Sequence, residues 1–341
     1  MFNPYTKGQV NFAKLREIGG EGKNSQAFVA HDHQLDAEIV IKEIPKEKLA
    51  HQETFFEESR ALYSTAHPNV VQIHYACQDD EYVYLAMPFY ANGSVKSLMG
   101  TRFLSVREIV RFGCQVLSAL HNIHAKGLVH FDIKPDNILL SDRNEALLSD
   151  FGQAKRIDDE GFARPDGVYT RMIPPEFFEV HEYTSASDIY QFGLTLYRMC
   201  NGDGDFYGQL AQYDADTFRP AVATGKFPDR KAFLPHIPSR LRRVIQKCLQ
   251  VNPTDRYGSA LEVANELALI DGEILDWQFD NGSGDNVWSK ATDGVSYRLV
   301  VKANGQSEMT KSKDGGKAQR VTAGCLVGAT IKQVEKILGS Y

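Results

Sequence analysis

The sequence has few of the features that build secreted, disulfide-stapled or membrane-spanning proteins. Its 341 residues include only five cysteines (77, 114, 200, 248 and 325), and no two of them form a C-x-x-C pair. Distant cysteines in odd number argue against a disulfide framework or a thiolate zinc site, and they favour a reducing compartment. No run of 18 apolar residues occurs, and the first residues lack the apolar core of a signal peptide. We therefore expect a cytoplasmic protein that does not span a membrane.

Repeats and low-complexity tracts are also missing, which argues against a solenoid or an extended disordered region. Hydrophobic residues make up 43% of the chain and charged residues 24%, as in ordinary globular domains. The net charge of −6 gives no reason to expect nucleic-acid binding by the chain as a whole. At about 100–200 residues per domain, the length fits one large domain or two moderate ones.

Hydrophobic periodicity divides the chain into a β-rich block, a helical block and a small β-rich end. Residues 12–90 carry short runs of β-branched and aromatic residues, the pattern of strands. Residues 91–271 are mostly helical in spacing, as in Leu104–Ala125. Beyond a turn-forming stretch, alternation predicts strands again, and Thr330-x-x-Gln333 predicts the capping box of a last helix. We predict a β-then-α body followed by an appendage of two or three strands and a helix.

A glycine-rich segment, Gly20-Glu21-Gly22-Lys23-Asn24-Ser25-Gln26-Ala27, lies between two predicted strands. Glycine lets backbone N–H groups approach phosphate oxygens because no Cβ stands in the way. A plain hairpin turn explains the same residues equally well. Lys42 ends a nearby apolar run, and a lysine on a buried strand needs a partner, for which Glu58 is available. A solvated lysine on an edge strand is the alternative.

The most specific segment is His130-Phe131-Asp132-Ile133-Lys134-Pro135-Asp136-Asn137. It places a carboxylate, an ammonium group and a carboxamide within six residues, between two apolar runs. An aspartate on such a short loop suits a proton acceptor, and Asn137 can ligate a hard cation. A second acid, Asp150, follows 18 residues after Asp132, which leaves room for a hairpin that returns it beside Asp132.

In order and context this set resembles the eukaryotic-type (Hanks-type) serine/threonine protein kinase family, over about four-fifths of the chain. The resemblance implies an α+β class and the bilobal protein-kinase fold, with a β-rich N-lobe and a helical C-lobe. For the small C-terminal domain, an antiparallel sheet with a helix, we identify no family. The boundaries expected from this organisation are a tail at 1–11, a kinase domain at 12–271 (N-lobe 12–87, hinge 88–92, C-lobe 93–271), a linker at 272–285 and the C-terminal domain at 286–341.

The activity that this resemblance implies is transfer of the γ-phosphoryl group of ATP to serine or threonine hydroxyls of protein substrates, and autophosphorylation. By resemblance, Asp132 accepts the hydroxyl proton and Lys134 steadies the transferring group. Asn137 and Asp150 hold Mg²⁺ or Mn²⁺, because their oxygen donors suit hard cations.

The nucleotide site is also expected by resemblance. Lys42 holds the α- and β-phosphates and pairs with Glu58, Met87 is the gatekeeper, and the backbone of the hinge meets adenine. The residues expected to contact the cofactor are Gly20, Glu21, Gly22, Lys23, Asn24, Ser25, Ala27, Val40, Lys42, Met87, Phe89, Tyr90 and Leu139.

Supporting residues follow from the same resemblance. Asp188 supports the catalytic loop, and Glu176 pairs with Arg256. The regulatory spine is expected to consist of Leu62, Ile73, His130 and Phe151. A separate pair, His121-x-x-His124, has the spacing of two metal ligands on a helix, but no acid or cysteine follows at ligand spacing, so packing is favoured.

Three positions depart from the family pattern. Ser25 stands for the third glycine of the loop, yet backbone donors survive this change. Phe131 replaces the arginine that commonly precedes the catalytic aspartate and clamps a phosphorylated activation loop. We therefore expect a non-RD kinase that does not depend on an activation-loop phosphate. The segment Val168–Ile173 departs from the usual Gly-Thr-x-x-Tyr pattern, so whether Tyr169 or Thr170 contacts Asp132 and Lys134 is open.

The last 57 residues, 285–341, carry nine lysines and arginines against five acids, a net charge of +4. Such a module can engage the acidic kinase body, an acidic protein or nucleic acid, and a solvated charged face is the plainer alternative. The competing hypothesis for the whole chain is a pseudokinase-like scaffold or binding module that acts through this basic domain.

Overall fold

The N-terminal part of the molecule is an antiparallel sheet. The computed structural model describes residues 8–18, 25–48, 56–165, 170–178 and 182–341. The strands of the first sheet are β1 (Phe12–Ile18), β2 (Gln26–Asp32), β3 (Ala37–Pro45), β4 (Tyr75–Gln78) and β5 (Tyr82–Pro88). Their spatial order is β1-β2-β3-β5-β4, so β3 is central. Between β3 and β4 the chain forms helix α1 (Glu57–Ser64).

The register of β3 places its side chains on two faces. Ile39 and Ile41 are buried against Ala30 and Ala86, whereas Val40 and Lys42 alternate with them and face the other way. The β-branched run of this strand suits a pleated, half-buried surface, which explains why it forms the middle of the sheet.

The middle of the chain is mainly helical. Its helices are α2 (Val95–Met99), α3 (Val106–Ala125), α4 (Ser185–Asn201), α5 (Asp203–Leu210), α6 (Ala215–Ala223), α7 (Ser239–Cys248) and α8 (Ala260–Ala268). Short strands connect them: β6 (Leu128–Val129), β7 (Ile138–Leu140), β8 (Ala146–Leu148) and β9 (Lys155–Arg156), in which β6 pairs with β9 and β7 with β8. Ser105 and Glu108 form the capping box that starts α3, in agreement with the predicted helix at Leu104–Ala125.

One apolar core joins the sheet to the helices. Leu62 of α1 and Leu85 of β5 belong to the same buried cluster as Phe112 of α3 and Phe192 of α4. Nearly every residue of α4 is buried, which makes this helix the axis around which the helical part packs. None of the helices in the described ranges combines the length and the apolar composition that crossing a bilayer requires.

The C-terminal end forms a second antiparallel sheet with a helix. Its strands are β10 (Gln278–Asp280), β11 (Asn286–Thr292), β12 (Val295–Val301), β13 (Ser307–Lys313) and β14 (Gln319–Arg320), and its helix is α9 (Ile331–Leu338). The α+β class, the two-lobed organisation and the terminal sheet plus helix are confirmed. The expected two or three strands were too few, because β10 and β14 have only three and two residues, too short for a periodic pattern to be recognised.

The stretch 272–285, interpreted from the sequence as a linker, contains a short 3-10 helix at Glu273–Asp276 and strand β10. Trp277 is fully buried, and its indole N–H donates to the carbonyl of Leu338 at 2.9 Å. We call residues 277–341 the C-terminal unit, because this tryptophan packs with its core.

The C-terminal unit lies against the helical part. The indole N–H of Trp288 donates to Nδ1 of buried His236 at 3.1 Å. An ion pair joins Arg242 of α7 to Glu335 of α9 at 2.7 Å. Apolar burial with a few directed polar contacts is the usual make-up of a packed interface. The unit therefore has a defined seat on the helical part.

Candidate active site

The segment 130–137 is a loop between β6 and β7, and side chains of helix α4 hydrogen-bond to its backbone. Asp188, fully buried in the first turn of α4, accepts the backbone N–H groups of His130 at 2.9 Å and Phe131 at 2.8 Å. Phe131 has φ of +63°, a conformation that costs a bulky residue of order 1–3 kcal/mol and persists only where the surroundings enforce it. The two bonds to Asp188 are part of that enforcement.

Gln191, one turn after Asp188 on α4, completes the support. Its side chain accepts the N–H of Ile133 at 3.0 Å and donates to the carbonyl of Phe131 at 2.9 Å. The sequence interpretation missed this residue. The available signal was its position three residues after Asp188, which puts both side chains on the same helix face.

Asp132 occupies the centre of the loop and is 5% exposed. Its Oδ2 accepts from the ammonium of Lys134 at 2.9 Å and from the amide of Asn137 at 2.8 Å. Its Oδ1 is buried and has no hydrogen-bond partner in the described structure. Burial raises the pKa of Asp132 above that of an ordinary aspartate, while the charge of Lys134 opposes the rise. Asp132 is thus a fixed carboxylate with one oxygen to which none of the described residues donates a hydrogen bond.

Asp150 and Lys42 meet across 108 residues of sequence. The Nζ of Lys42, on β3, lies 2.7 Å from Oδ1 of Asp150, which follows β8. Asp150 has φ of +60°, so its side chain leaves the strand in an unusual direction. The positive charge of Lys42 lowers the pKa of Asp150 to about 2, so this carboxylate is ionised at neutral pH.

The donor set of this site suits a hard divalent cation that also binds phosphate. The amide nitrogen of Asn137 donates to Asp132, which leaves its amide oxygen available to coordinate a metal ion. Asp150 adds a carboxylate as a second ligand. Within the described residues, no group of three or more His, Cys, Asp or Glu side chains could hold a metal by itself. Mg²⁺ is typically held by one or two carboxylates together with substrate phosphates, so a two-residue oxygen set fits it.

The predicted nucleotide residues belong to two parts of the molecule, the N-terminal sheet and the helical part. In the N-terminal sheet Val40 pairs with Met87 and Ala27 with Lys42. In the helical part Leu139 lies on β7 and is half-buried. Gly20, Glu21, Gly22, Lys23 and Asn24 lie outside the described residues, as does the side chain of Glu58, so the predicted Lys42–Glu58 pair stays a prediction.

A cavity of about 300 Å³ lies beside Phe89 and Tyr90, the two residues that follow β5 and its last residue Pro88. The remaining lining comes from the β7–β8 turn, and neither Lys42 nor Asp150 contributes. This cavity therefore flanks the predicted hinge rather than the phosphate-binding side.

The predicted pair Glu176–Arg256 is present and buried. Two parallel hydrogen bonds join the groups, at 2.8 Å and 2.6 Å, and the hydroxyl of Ser187 donates to Glu176 at 2.9 Å. The pair links the short 3-10 helix Pro175–Phe178 to α4 and to the turn before α8. It holds the segment 170–178 against the helical part.

Two other predicted groupings can be compared with the structure. The rings of His130 and Phe151 meet edge to face, with centroids 4.7 Å apart, and Leu62 and Ile73 pack on the same core. Nε2 of His124 lies 2.7 Å from Oδ2 of Asp188, whereas His121 is exposed. His124 therefore packs against α4, whereas His121 faces solvent, so the two side chains do not share one site.

The replacement of an arginine by Phe131 has a clear structural consequence. Phe131 is fully buried in an apolar cluster with Val129, Ala163 and Tyr183, and Phe177 stacks on Tyr183 with ring centroids 3.8 Å apart. The cluster includes Ala163, on the stretch between Phe151 and Thr170, and the backbone N–H of Ala163 donates to Tyr183. Tyr169 lies outside the described residues, and Thr170 is exposed in a 3-10 helix.

Comparison with known protein sequences identifies the family of this chain. The family profile described as protein kinase domain matches residues 12–267. A probable serine/threonine-protein kinase of Clostridium acetobutylicum is 29% identical over 271 residues, which cover 76% of this chain and 40% of that protein. The serine/threonine-protein kinase PrkC of Bacillus subtilis is 26% identical over 320 residues, 90% of this chain and 49% of that protein.

A serine/threonine-protein kinase of Myxococcus xanthus is 30% identical over 278 residues, 76% of this chain and 50% of that protein. The chain thus spans about half, or less, of the length of these relatives. The profile nevertheless matches far more than half of this chain, and it includes Lys42, Asp132, Asn137 and Asp150. The chain belongs to the protein kinase family.

Proposed function

We propose that this protein is a serine/threonine protein kinase that transfers the γ-phosphoryl group of ATP to protein hydroxyls and also phosphorylates itself. The observation that carries the proposal is the environment of Asp132. One of its oxygens is bonded to Lys134 and Asn137, and the other is buried without a partner in the described structure. A substrate hydroxyl can donate to that second oxygen, and a proton acceptor must be within hydrogen-bond reach of the proton it takes.

Each residue near Asp132 has a role in this proposal. Asp132 accepts the hydroxyl proton, and Lys134 balances negative charge on the transferring group. Asn137 and Asp150 would hold Mg²⁺ or Mn²⁺, which neutralises phosphate charge when bound. Lys42 holds the nucleotide phosphates from the sheet side. Positioning and charge stabilisation account for the rate, because phosphoryl transfer asks little covalent chemistry of the protein.

The proposal is tested by incubating the purified protein with labelled ATP and Mg²⁺, followed by phosphoamino-acid analysis. We expect phosphoserine and phosphothreonine, in the protein itself and in an added protein substrate. Comparing the transfer rates with Mn²⁺ and with Mg²⁺ identifies the preferred metal. Label on tyrosine alone, or no label with folded protein, would contradict the proposal.

The activity should depend on pH through Asp132. The proton acceptor works only when ionised, and its ionised fraction falls as the pH drops through its pKa. Because burial raises that pKa, we expect kcat/KM to decline at a higher pH than an unperturbed aspartate, with pKa about 3.9, allows. Replacing Lys134 with Met removes the charge that opposes the rise, so the decline should move to still higher pH. An unmoved acid limb in that variant would count against Asp132 as the acceptor.

We further propose that activity needs no phosphate on the activation segment. Phe131 cannot clamp a phosphate, and the apolar cluster around it gives that segment a phosphate-independent anchor. Wild-type protein treated with phosphatase should keep at least half of its initial rate, as should Thr170→Ala and Tyr169→Phe variants. The rate is measured in the first minutes, before autophosphorylation proceeds. Loss of the wild-type rate after dephosphorylation would refute this prediction.

Two further points remain proposals. The contacts of Trp288 and Glu335 with His236 and Arg242 support a C-terminal unit seated on the kinase's own helical part. No contact among the described residues supports the other two predicted partners of this unit, an acidic protein and nucleic acid. The cytoplasmic location stays the expectation drawn from the sequence, for which cysteine usage is one argument.

A further inference from the structure

An ion-pair cluster lies beside the catalytic loop and has no part in the proposed transfer. Asp136 immediately precedes Asn137, which is bonded to Asp132. The Oδ1 of Asp136 accepts from the ammonium of Lys96, on α2, at 2.5 Å. Its Oδ2 lies 3.7 Å from a guanidinium nitrogen of Arg198, on α4. Two cations of the protein therefore share one carboxylate of the catalytic loop.

Arg198 is held firmly in this position. Its side chain is 1% exposed. Asp203 binds it through two hydrogen bonds, at 2.7 Å and 2.9 Å. The guanidinium also lies over the rings of Phe206 and Tyr207, at 5.3 Å and 5.4 Å from the ring centroids. Bidentate pairing together with ring contacts fixes an arginine strongly and leaves it no reach toward a ligand.

The cluster also reaches the activation segment, the stretch between Asp150 and Glu176. A guanidinium nitrogen of Arg198 lies 3.8 Å from the sulfur of Met172, in the 3-10 helix Thr170–Met172. The preceding residue, Arg171, is exposed, and its guanidinium carbon lies 5.4 Å from the centroid of the Tyr207 ring. The cluster thus connects the loop of Asp132 to the segment 170–172.

Asp136 lies four residues after Asp132 in the same loop, so we expect the residues beside an acceptor hydroxyl at Asp132 to come near this cluster. Residues two or three positions from the hydroxyl reach roughly 7–10 Å in extended chain. A carboxylate at that range would attract a basic side chain, as charged clefts select partners of opposite sign. Here Lys96 and Arg198 already balance Asp136 and Asp203, and Arg171 adds positive charge.

We propose that Lys96 and Arg198 fill, with the protein's own cations, the place beside Asp132 that a basic residue of an acceptor would take. This inference rests on the proposed kinase function. It makes the kinase indifferent to lysine or arginine next to the acceptor hydroxyl, and it favours acceptors with neutral or acidic neighbours. The balanced Asp136 is the residue that decides this preference.

The test uses the full chain and matched peptides that carry arginine, alanine or glutamate at each position within three residues of the acceptor. Wild type should phosphorylate arginine and alanine peptides at rates within about twofold of each other, because no unbalanced acid is present. The Lys96→Met variant leaves Asp136 with only the more distant cation. Its preference for arginine over alanine should rise roughly five- to tenfold at one position.

Two variants serve as controls. Arg240→Met removes a cation from an exposed pair with Glu266, away from the catalytic loop, and should leave the preference unchanged. Adding Asp136→Asn to Lys96→Met removes the acid and should abolish the new arginine preference. A wild-type preference of about tenfold for arginine, or equal preferences in wild type and Lys96→Met, would overturn the proposal.

Failure of the kinase proposal is separated by a binding measurement. Fluorescent peptides with alanine at the acceptor position are titrated against each variant, and their anisotropy is recorded without any transfer. If no peptide is phosphorylated, the proposed function fails. The binding measurement then still tests the proposed role of Lys96 and Arg198. A gain in affinity for the arginine peptide in Lys96→Met supports that role, and no gain refutes it.

Discussion

Replacing Asp132 with asparagine should lower the initial rate of phosphoryl transfer by about 10²–10⁴-fold, the usual contribution of a positioned proton acceptor. Asparagine keeps the size of the side chain, but its amide cannot take the hydroxyl proton. The substrate hydroxyl is expected to donate to the buried Oδ1, which has no hydrogen-bond partner among the residues that the structure describes. The rate is measured with saturating ATP and Mg²⁺ on a serine peptide.

The matched control for this variant is Asp293→Asn. Asp293 is exposed in a turn with φ of +48°, which asparagine tolerates, so activity should not change. Circular dichroism and the thermal midpoint show whether both variants are folded. Label that persists equally in Asp132→Asn would show a contaminating kinase or a different proton acceptor.

Replacing Glu176 with glutamine should destabilise the protein by about 3 kcal/mol or more, the usual cost of leaving one charge of a buried pair without its partner. Arg256 would keep its bonds to backbone carbonyls, including that of Ala186 at 2.8 Å, but no charge would balance it. The thermal midpoint should fall by several degrees, at roughly 2 °C or more per kcal/mol. Equilibrium urea unfolding gives the free energy directly.

A surface pair provides the comparison. Glu266→Gln breaks the pair with Arg240, whose side chains are 43% and 39% exposed, and it should cost less than about 1 kcal/mol. The double variant Glu176→Gln, Arg256→Met removes both charges and should recover part of the lost stability. If Glu176→Gln alone lowers the free energy of unfolding by less than about 1 kcal/mol, the buried pair does not stabilise the protein as we expect.

The parts of the site that sequence predicts well are those held together by local chain geometry. Asp132, Lys134 and Asn137 lie within six residues, so their mutual hydrogen bonds follow once the loop has formed. The strands and long helices were also predictable, because apolar spacing extends over many residues, as in α3. The catalytic roles of these residues stay predictions.

Contacts between distant segments were harder to foresee. Lys42 and Asp150 were expected at one nucleotide–metal site, but their direct contact at 2.7 Å was not predicted, and the Lys42–Glu58 pair stays a prediction. The two-residue strand β14 carries too few side chains for a periodic pattern. Gln191 was missed although it lies three residues after Asp188, because that spacing places it on the same helix face but does not show that its side chain bonds to the loop.

By itself the sequence determined the family, the succession of strands and helices and the residues of the catalytic loop, since each depends on short-range pattern and spacing. Apart from the pair Glu176–Arg256, which the family resemblance implied, only the tertiary structure decided which charges neutralise one another. Arg198 and Asp136 are 62 positions apart, and helix α4 must dock beneath the loop before they meet. The same holds for Trp288 and His236, which come together only when the C-terminal unit packs on the helical part. Electrostatic balance depends on distance in space, and that distance is settled by packing rather than by order along the chain.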